Sequence, residues 1–401
     1  MIKDQFQHDL RFCFQNSLSF KAFWKQCSVN YFVTIPKTIS LLLFVIVNMG
    51  ISNLAFAAGP AKVASYDRHL WPETINTPES YNRASYFENK MFQNRLMTIP
   101  VPVTEVFLRD FTSIKKVNAA SVNRWLIKTQ KRIQDNLMLS QRLAKIDSEH
   151  TNIEQLSSLY LPWRQASEKF YQTYLYEQIR LAALFPRISS EIDTFTDQEI
   201  TGFELEDGQF LLSFDDGPSS FSSQKTEKIM DWLTTNNVNG FFFLLGESLQ
   251  KRMIKQTSTE LAHLYDKQCM ASHGYQHKKH IDIAYSTTSL AKTDALIQKI
   301  KPSNNLPAFR PPYGQRSKEL AQQQINKGRK IVLWNIDSQD WNRKLNEQAV
   351  ADRMTSLMLL WRKGILLFHD VHTKALFALP QLNKLQKANN NEWLDCKKVR
   401  L

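Results

Sequence analysis

Little in this sequence would serve a membrane span. Its apolar run, Ile39 to Ile51, is shorter than the roughly 20 residues that a transmembrane helix needs and is broken by Asn48, which argues against a permanent anchor. Lys37 precedes the run and Ala55-Phe56-Ala57 follows it, a small-x-small pattern that predicts cleavage before Ala58. The expectation is an exported protein: periplasmic, secreted or envelope-associated. The mixed segment ahead of the run is long for an ordinary leader, so either the start is placed too early or the leader stays attached. Cysteine is scarce as well. Of four, Cys13 and Cys27 fall in the leader, leaving Cys269 and Cys396 to form at most one bridge in an oxidising space, or to stay as two buried thiols. No basic-aromatic pattern reaches a nucleic-acid motif, and no nucleic-acid partner or obligatory protein partner is expected.

What is present is a net charge of +13, and loss of the leader's five basic and two acidic residues leaves +10. A basic surface suits anionic envelope polymers, although a solvated basic face accounts for the same number. Residues 1–57 read as a signal peptide or leader and 58–100 as an irregular linker. From 101 to 195 Gly and Pro are few and apolar residues follow a helical period. Val122, Leu126, Ile133, Leu137 and Ala144 share one face, and Ala166, Phe170, Tyr174, Leu181 and Phe185 share another. These predict a small all-α region. Its aromatics Phe170, Tyr171, Tyr174 and Tyr176 could form a sugar platform, but at helical spacing they read first as core. Pro186 closes the second helix.

From 196 to 401 short apolar strands alternate with amphipathic helices, beginning with Phe210–Phe214, a helix over 225–235 and Gly240–Leu245. Repeated β-α units predict an α/β fold on a parallel sheet. Five clusters follow strands, at the carboxyl ends where such folds keep their chemistry. They are Ser213-Phe214-Asp215-Asp216-Gly217-Pro218, the pair His273 and His277, Arg310-Pro311-Pro312-Tyr313, Asp337-Ser338-Gln339-Asp340-Trp341, and Leu366-Leu367-Phe368-His369-Asp370.

Taken alone, Asp-Asp-Gly-Pro is a turn. Beside two histidines four residues apart, it becomes half of a metal site: Asp216 as ligand, Asp215 as base, and His273 and His277 facing one ion if their segment turns as a helix. Two imidazoles and one carboxylate leave an open position for water or substrate. Arg310 would hold Asp215 charged through a bidentate grip. The Tyr313 N–H would face a developing oxyanion. His369, oriented and raised in pKa by Asp340, would protonate the leaving amine. His263 and His280 read as bystanders, and His372 as structural or exposed.

In this order the five clusters resemble the motifs of the polysaccharide deacetylases, carbohydrate esterase family 4, over about Phe210 to His372. The resemblance implies a distorted, incomplete (β/α) barrel and a divalent metal, usually zinc. The activity it implies is removal of N-acetyl groups from N-acetylglucosamine units of a polysaccharide such as peptidoglycan or chitooligosaccharide. It also implies that Trp341 and Leu367 wall the acetyl pocket, with Pro312 beside them. Gly274 stands where Ser or Thr is common, so a supporting hydrogen bond to the site is either missing or comes from elsewhere, and Lys278 stands where proline often follows. O-acetyl ester or small amide and imide hydrolysis, and non-catalytic carbohydrate binding, are the other readings.

Overall fold

The computed structural model describes residues 62–399 apart from 148–152, 154–155 and 301–304. The leader, with Cys13 and Cys27, lies outside the described residues. Among the described residues no helix is long and apolar enough to cross a membrane.

The short apolar runs pair into one sheet of β1 (Gln209–Asp215), β2 (Phe241–Leu244), β3 (Cys269–Ser272), β4 (Asn305–Phe309), β5 (Lys330–Ile331), β6 (Ile336–Asp337), β7 (Gly364–His369) and β8 (Glu392–Trp393). The order is β5-β4-β3-β2-β1-β7-β6, with β8 added beside β1 and every ladder parallel. That is the sequential order of a (β/α) barrel with one closure missing, the expected incomplete barrel. The cause is legible in the spacing. Parallel neighbours need a crossover of roughly a dozen residues, and only residues 332–335 separate β5 from β6. On the β5 side of this open seam Ile200 forms a one-residue bridge to Val332.

Alternation along β1 sorts its side chains between two cores. Phe210, Leu212 and Phe214 face the outer layer, while Leu211 joins Phe241, Phe243, Phe309 and Leu367 in the barrel interior. Ser213 and Asp215 share the parity of Leu211, so β1 delivers its carboxylate inward. Cys269 and Cys396 are joined by a disulfide that ties the start of β3 to the turn Cys396–Lys398, which decides between the bridge and the free thiols.

The helical region comprises α1 (Pro78–Leu96), α2 (Glu105–Thr112), α3 (Ala119–Leu143) and α4 (Leu161–Leu184). The irregular linker expected over 58–100 is therefore corrected: α1 occupies much of it, started by Thr77 in a capping box with Ser80 and by Pro78 in the first turn. Polar residues disguise its buried face. Glu88 is fully buried and accepts hydrogen bonds from Tyr66 and Tyr171, each at 2.6 Å, and from Trp163 at 3.1 Å, with Arg68 as a further partner. The aromatic stripe of α4 is core, with Phe170, Tyr171 and Tyr174 all buried.

A change of composition near Thr196 is not a break in packing. One core cluster runs from Ala64 to Leu385, through both regions. The barrel helix that joins them, α5 (Glu347–Trp361), is buried along most of its length. Its last carbonyls receive the side chains of Ser85 and Asn136, and Trp361 donates to Tyr174 at 3.0 Å while its ring meets Phe92 and Phe203.

Candidate active site

Asp215 ends β1 and Asp216 follows it in a left-handed conformation, φ 74°. This backbone reversal gives the two carboxylates different main partners, although His273 Nε2 also lies 3.7 Å from Asp215 Oδ2. Asp215 Oδ1 receives Arg310 Nη1 at 2.8 Å. Asp216 Oδ1 lies 3.5 Å from His273 Nε2 and 3.4 Å from His277 Nε2.

Arg310 leaves β4 and is fully buried. The bidentate grip expected of it is corrected. Only Nη1 reaches Asp215, and it also meets Ser213 Oγ at 2.8 Å, while Nε and Nη2 donate to the carbonyls of Val332 and Leu333. Its guanidinium lies 4.0 Å from the centre of the Phe243 ring, so the cation is fixed from every side and Asp215 keeps one oxygen unclaimed by it. Burial pushes the Asp215 carboxyl up to about 6 even against Arg310 and His369.

His273 follows β3, and its Nδ1 meets the Arg310 carbonyl at 2.7 Å, which leaves Nε2 to face Asp216. Burial holds the imidazole well below its ordinary pKa, with His277 and Arg310 adding to the effect, so the ring is neutral and its lone pair free. Burial lowers His277 likewise. The helical turn expected over 273–277 is also corrected: the segment is a bend, begun by Gly274 at φ +83°. A Cβ at Gly274 would stand 2.4 Å from His280 Cε1. His280 is thus no bystander to the packing. It is buried between the Lys278 carbonyl and Ser289 Oγ, and the same Ser289 oxygen accepts from Tyr275 N–H at 2.7 Å. Ser289 thus pins the bend between the two histidines.

At the ends of β6 and β7, Asp340 and His369 are clasped twice. His369 Nδ1 lies 2.7 Å from Asp340 Oδ1, and its main-chain N–H donates to Oδ2 at 2.9 Å. Burial opposes charge on His369, yet Asp340, helped by Asp216 and Asp215, lifts it to about 10. Burial likewise works against an ionised Asp340, but His369 keeps its carboxyl below the usual range. Register sets Asp215 directly opposite His369 on paired strands.

Tyr313 adopts φ 59° in the turn after Arg310 and packs its half-exposed ring edge-on to His277 at 4.3 Å. Pro312 and Leu367 are buried, whereas Trp341 is 40 % exposed and so free to meet a ligand. Sequence reasoning passed over Asp370. Its buried carboxyl accepts from Thr226 Oγ1 at 2.7 Å and is pushed by burial up to about 7. The signal was Gly217, where a Cβ would stand 2.2 Å from Asp370 Oδ2.

The donor set fits a cation. The facing atoms of Asp216, His273 and His277 lie within 4.8 Å of one another, and Asp216 Oδ1, though buried, has no hydrogen-bond partner among the described residues. One carboxylate and two neutral imidazoles are a ligand set for a divalent transition metal with an open position.

Fold and site define a class: an open parallel (β/α) barrel whose strand ends gather a three-ligand cradle, a buried carboxylate on an arginine and an imidazole on an aspartate. The chain carries a polysaccharide deacetylase domain: residues 204–332 match that family's model. It is 30% identical over 156 residues to a peptidoglycan-N-acetylglucosamine deacetylase of Bacillus cereus, covering 38% of this chain and 51% of that one. It is 29% identical over 180 residues to chitin deacetylase 2 of Saccharomyces cerevisiae, covering 43% and 54%. The chain spans about half the length of these relatives. Among solved structures, a peptidoglycan N-acetylglucosamine deacetylase bound to a hydroxamate-bearing benzamide aligns with a TM-score of 0.43 at 21% identity, over 49% of this chain and 90% of that one.

Proposed function

We propose that the protein is an exported, metal-dependent hydrolase that removes N-acetyl groups from N-acetylglucosamine units of a polysaccharide, releasing acetate and a free amine. The observation that carries this reading is the meeting, at one end of one sheet, of the Asp216, His273 and His277 cradle with two separately tuned proton carriers, Asp215 and His369. Relatives that act on peptidoglycan and chitin support the substrate class. The disulfide supports export, since such bridges persist in oxidising compartments.

A divalent cation held by Asp216, His273 and His277, with zinc the proposed identity, would supply a Lewis acid and bring the pKa of its water from 15.7 to roughly 7. The chain's own residues then divide the proton traffic. Asp215, kept in place through Oδ1 by Arg310, takes the proton of the attacking water. Arg310 and a cation at the neighbouring cradle both favour its ionised form, the form a base must have at neutral pH. His369, charged because Asp340 faces Nδ1, gives its Nε2 proton to the departing nitrogen. The Tyr313 N–H donates to the carbonyl oxygen as negative charge develops there. Trp341, Leu367 and Pro312 enclose the acetyl methyl and exclude water.

Metal analysis of the purified protein, combined with acetate release from peptidoglycan, chitooligosaccharide and acetylated xylan side by side, tests the proposal. Release from the N-acetylated polymers with one equivalent of metal is the expected result. Release from xylan alone would move the reading to an O-acetyl esterase. Sugar binding without release from any of them, zinc present, would overturn it.

A further inference from the structure

The open seam leaves β6 as an edge strand, and it is the strand that leads into Asp340. Ser338 N–H pairs inward with the Leu367 carbonyl at 3.2 Å. By the alternation of a strand, the Asp337 carbonyl then points outward, where a closed barrel would offer a partner strand. What meets it is Arg353 of α5, 1% exposed, whose Nε donates at 2.9 Å. The rest of the guanidinium is spent on the helical region: Nη1 donates to the Ala64 carbonyl at 2.8 Å and Nη2 to Glu177 Oε2 of α4 at 3.2 Å. Glu177 Oε1 accepts the Ala64 N–H at 2.7 Å, which closes the ring. From Asp337 the path runs on to the proposed acid. The Asp337 carboxylate takes both the main-chain N–H and Nε2 of Gln339, at 2.9 and 2.7 Å, and so holds that residue at φ 56°. A left-handed residue there is what turns Asp340 back under His369.

We infer that Arg353 and Glu177 are positioning residues for the Asp340–His369 pair, so that the helical region and the segment around Ala64 supply the missing barrel wall to the proton donor. This rests on the function proposed above. It explains why a fully buried arginine 13 residues beyond Asp340 is tied to two segments that precede the barrel in sequence. A guanidinium fork can hold three carbonyl or carboxylate oxygens in fixed directions, which a lysine cannot.

The test uses the full chain with Arg353→Met and Glu177→Gln, each verified as folded by circular dichroism. Against the best N-acetylated substrate, R353M is expected to lower kcat roughly 10- to 100-fold, the scale of a slightly misplaced reacting group. KM should stay within about twofold, because no substrate contact is lost, and E177Q should lower kcat less than R353M. A second readout is independent of turnover: the downfield proton NMR signal of His369 Nδ1–H in metal-free protein, assigned by its loss in His369→Gln. It should move upfield and exchange faster in R353M. A folded R353M with wild-type kcat and an unmoved signal overturns the inference, as does a rise in KM with kcat kept. If R353M does not fold, E177Q decides by the same two readouts. If wild-type protein releases no acetate at all, the proposed function fails and the NMR signal alone judges the positioning.

Discussion

Replacing Asp340 by Asn keeps the shape of the side chain but takes away the charge that faces His369. Wild-type Asp340 accepts two bonds from His369, at 2.7 and 2.9 Å, inside the protein. A hydrogen bond to a charged group is worth about 1.5–3 kcal/mol. At 1.36 kcal/mol per pKa unit, loss of the charged partner lowers the pKa of His369 by roughly one to two units from its raised position near 10. Only the protonated ring can donate, so activity falls as pH rises through that pKa, and the alkaline limb of the kcat profile should move down by the same amount. A cation at Asp216 offsets part of that residue's pull on His369 in both proteins alike, so the observable is the difference between them. Near pH 7 the variant should lose activity modestly, through looser orientation. Beyond its own limb each further pH unit costs about tenfold, so the ratio of wild-type to variant activity must widen between pH 7 and 9.5. The assay is initial-rate acetate release at saturating substrate across that range. Two profiles that lose activity at the same alkaline pH would refute the role of Asp340 and, with it, of His369 as acid.

The same pair makes a stability prediction for metal-free protein. His369 is raised, so its contribution is complete below about 6.5 and is lost as pH climbs through about 10; Asp340 is lowered, so its share is lost as pH falls below the carboxylate range. The urea-unfolding gap between wild type and D340N should therefore be widest at mildly acidic to neutral pH, on the order of 3–5 kcal/mol for a broken buried pair, and a gap independent of pH would contradict it. Asp215→Asn should keep bound metal and lose turnover, whereas Asp216→Ala and His277→Ala should lose both; equal metal content by elemental analysis in all three would reverse the assignment. Gly217→Ala should cost about 1–3 kcal/mol by overpacking against Asp370, and adding Asp370→Gly should restore part of it, an outcome that unchanged melting of the single variant would preclude. Reducing the Cys269–Cys396 bridge, which spans 127 residues, should lower stability by up to about 5 kcal/mol on a loop-entropy account; an unmoved urea midpoint would mean that the bridge constrains nothing.

The site was legible where its chemistry is local. Asp215 and Asp216 are adjacent, His273 and His277 are four apart, and the clusters follow apolar runs that did become strands, except that the run from Lys330 to Trp334 pairs only over Lys330–Ile331 and Asp337 lies in β6 itself. Local signals failed where a distant residue decides the geometry. Gly274 bends the histidine segment because His280 fills the space above it, and no spacing rule announces that. The single bond from Arg310 to Asp215 depends on carbonyls at 332 and 333 that arrive with the short β5. Helix α1 was hidden because Glu88 and Asn89 sit on its buried face, which erases the apolar period that a reader relies on. Glu177 and Arg353, 176 residues apart, carry no pattern at all until the chain is folded.

Trp361 sets the order in which this molecule can be finished. The aromatic faces of α1 and α4 leave the ribosome before the barrel does, and the indole that covers them and bonds Tyr174 lies 187 residues further on. Throughout that interval the nascent chain displays a sticky, half-clad surface, the kind that holding chaperones grip and that self-association punishes. Final closure of the helical layer therefore waits on a residue made after the layer itself.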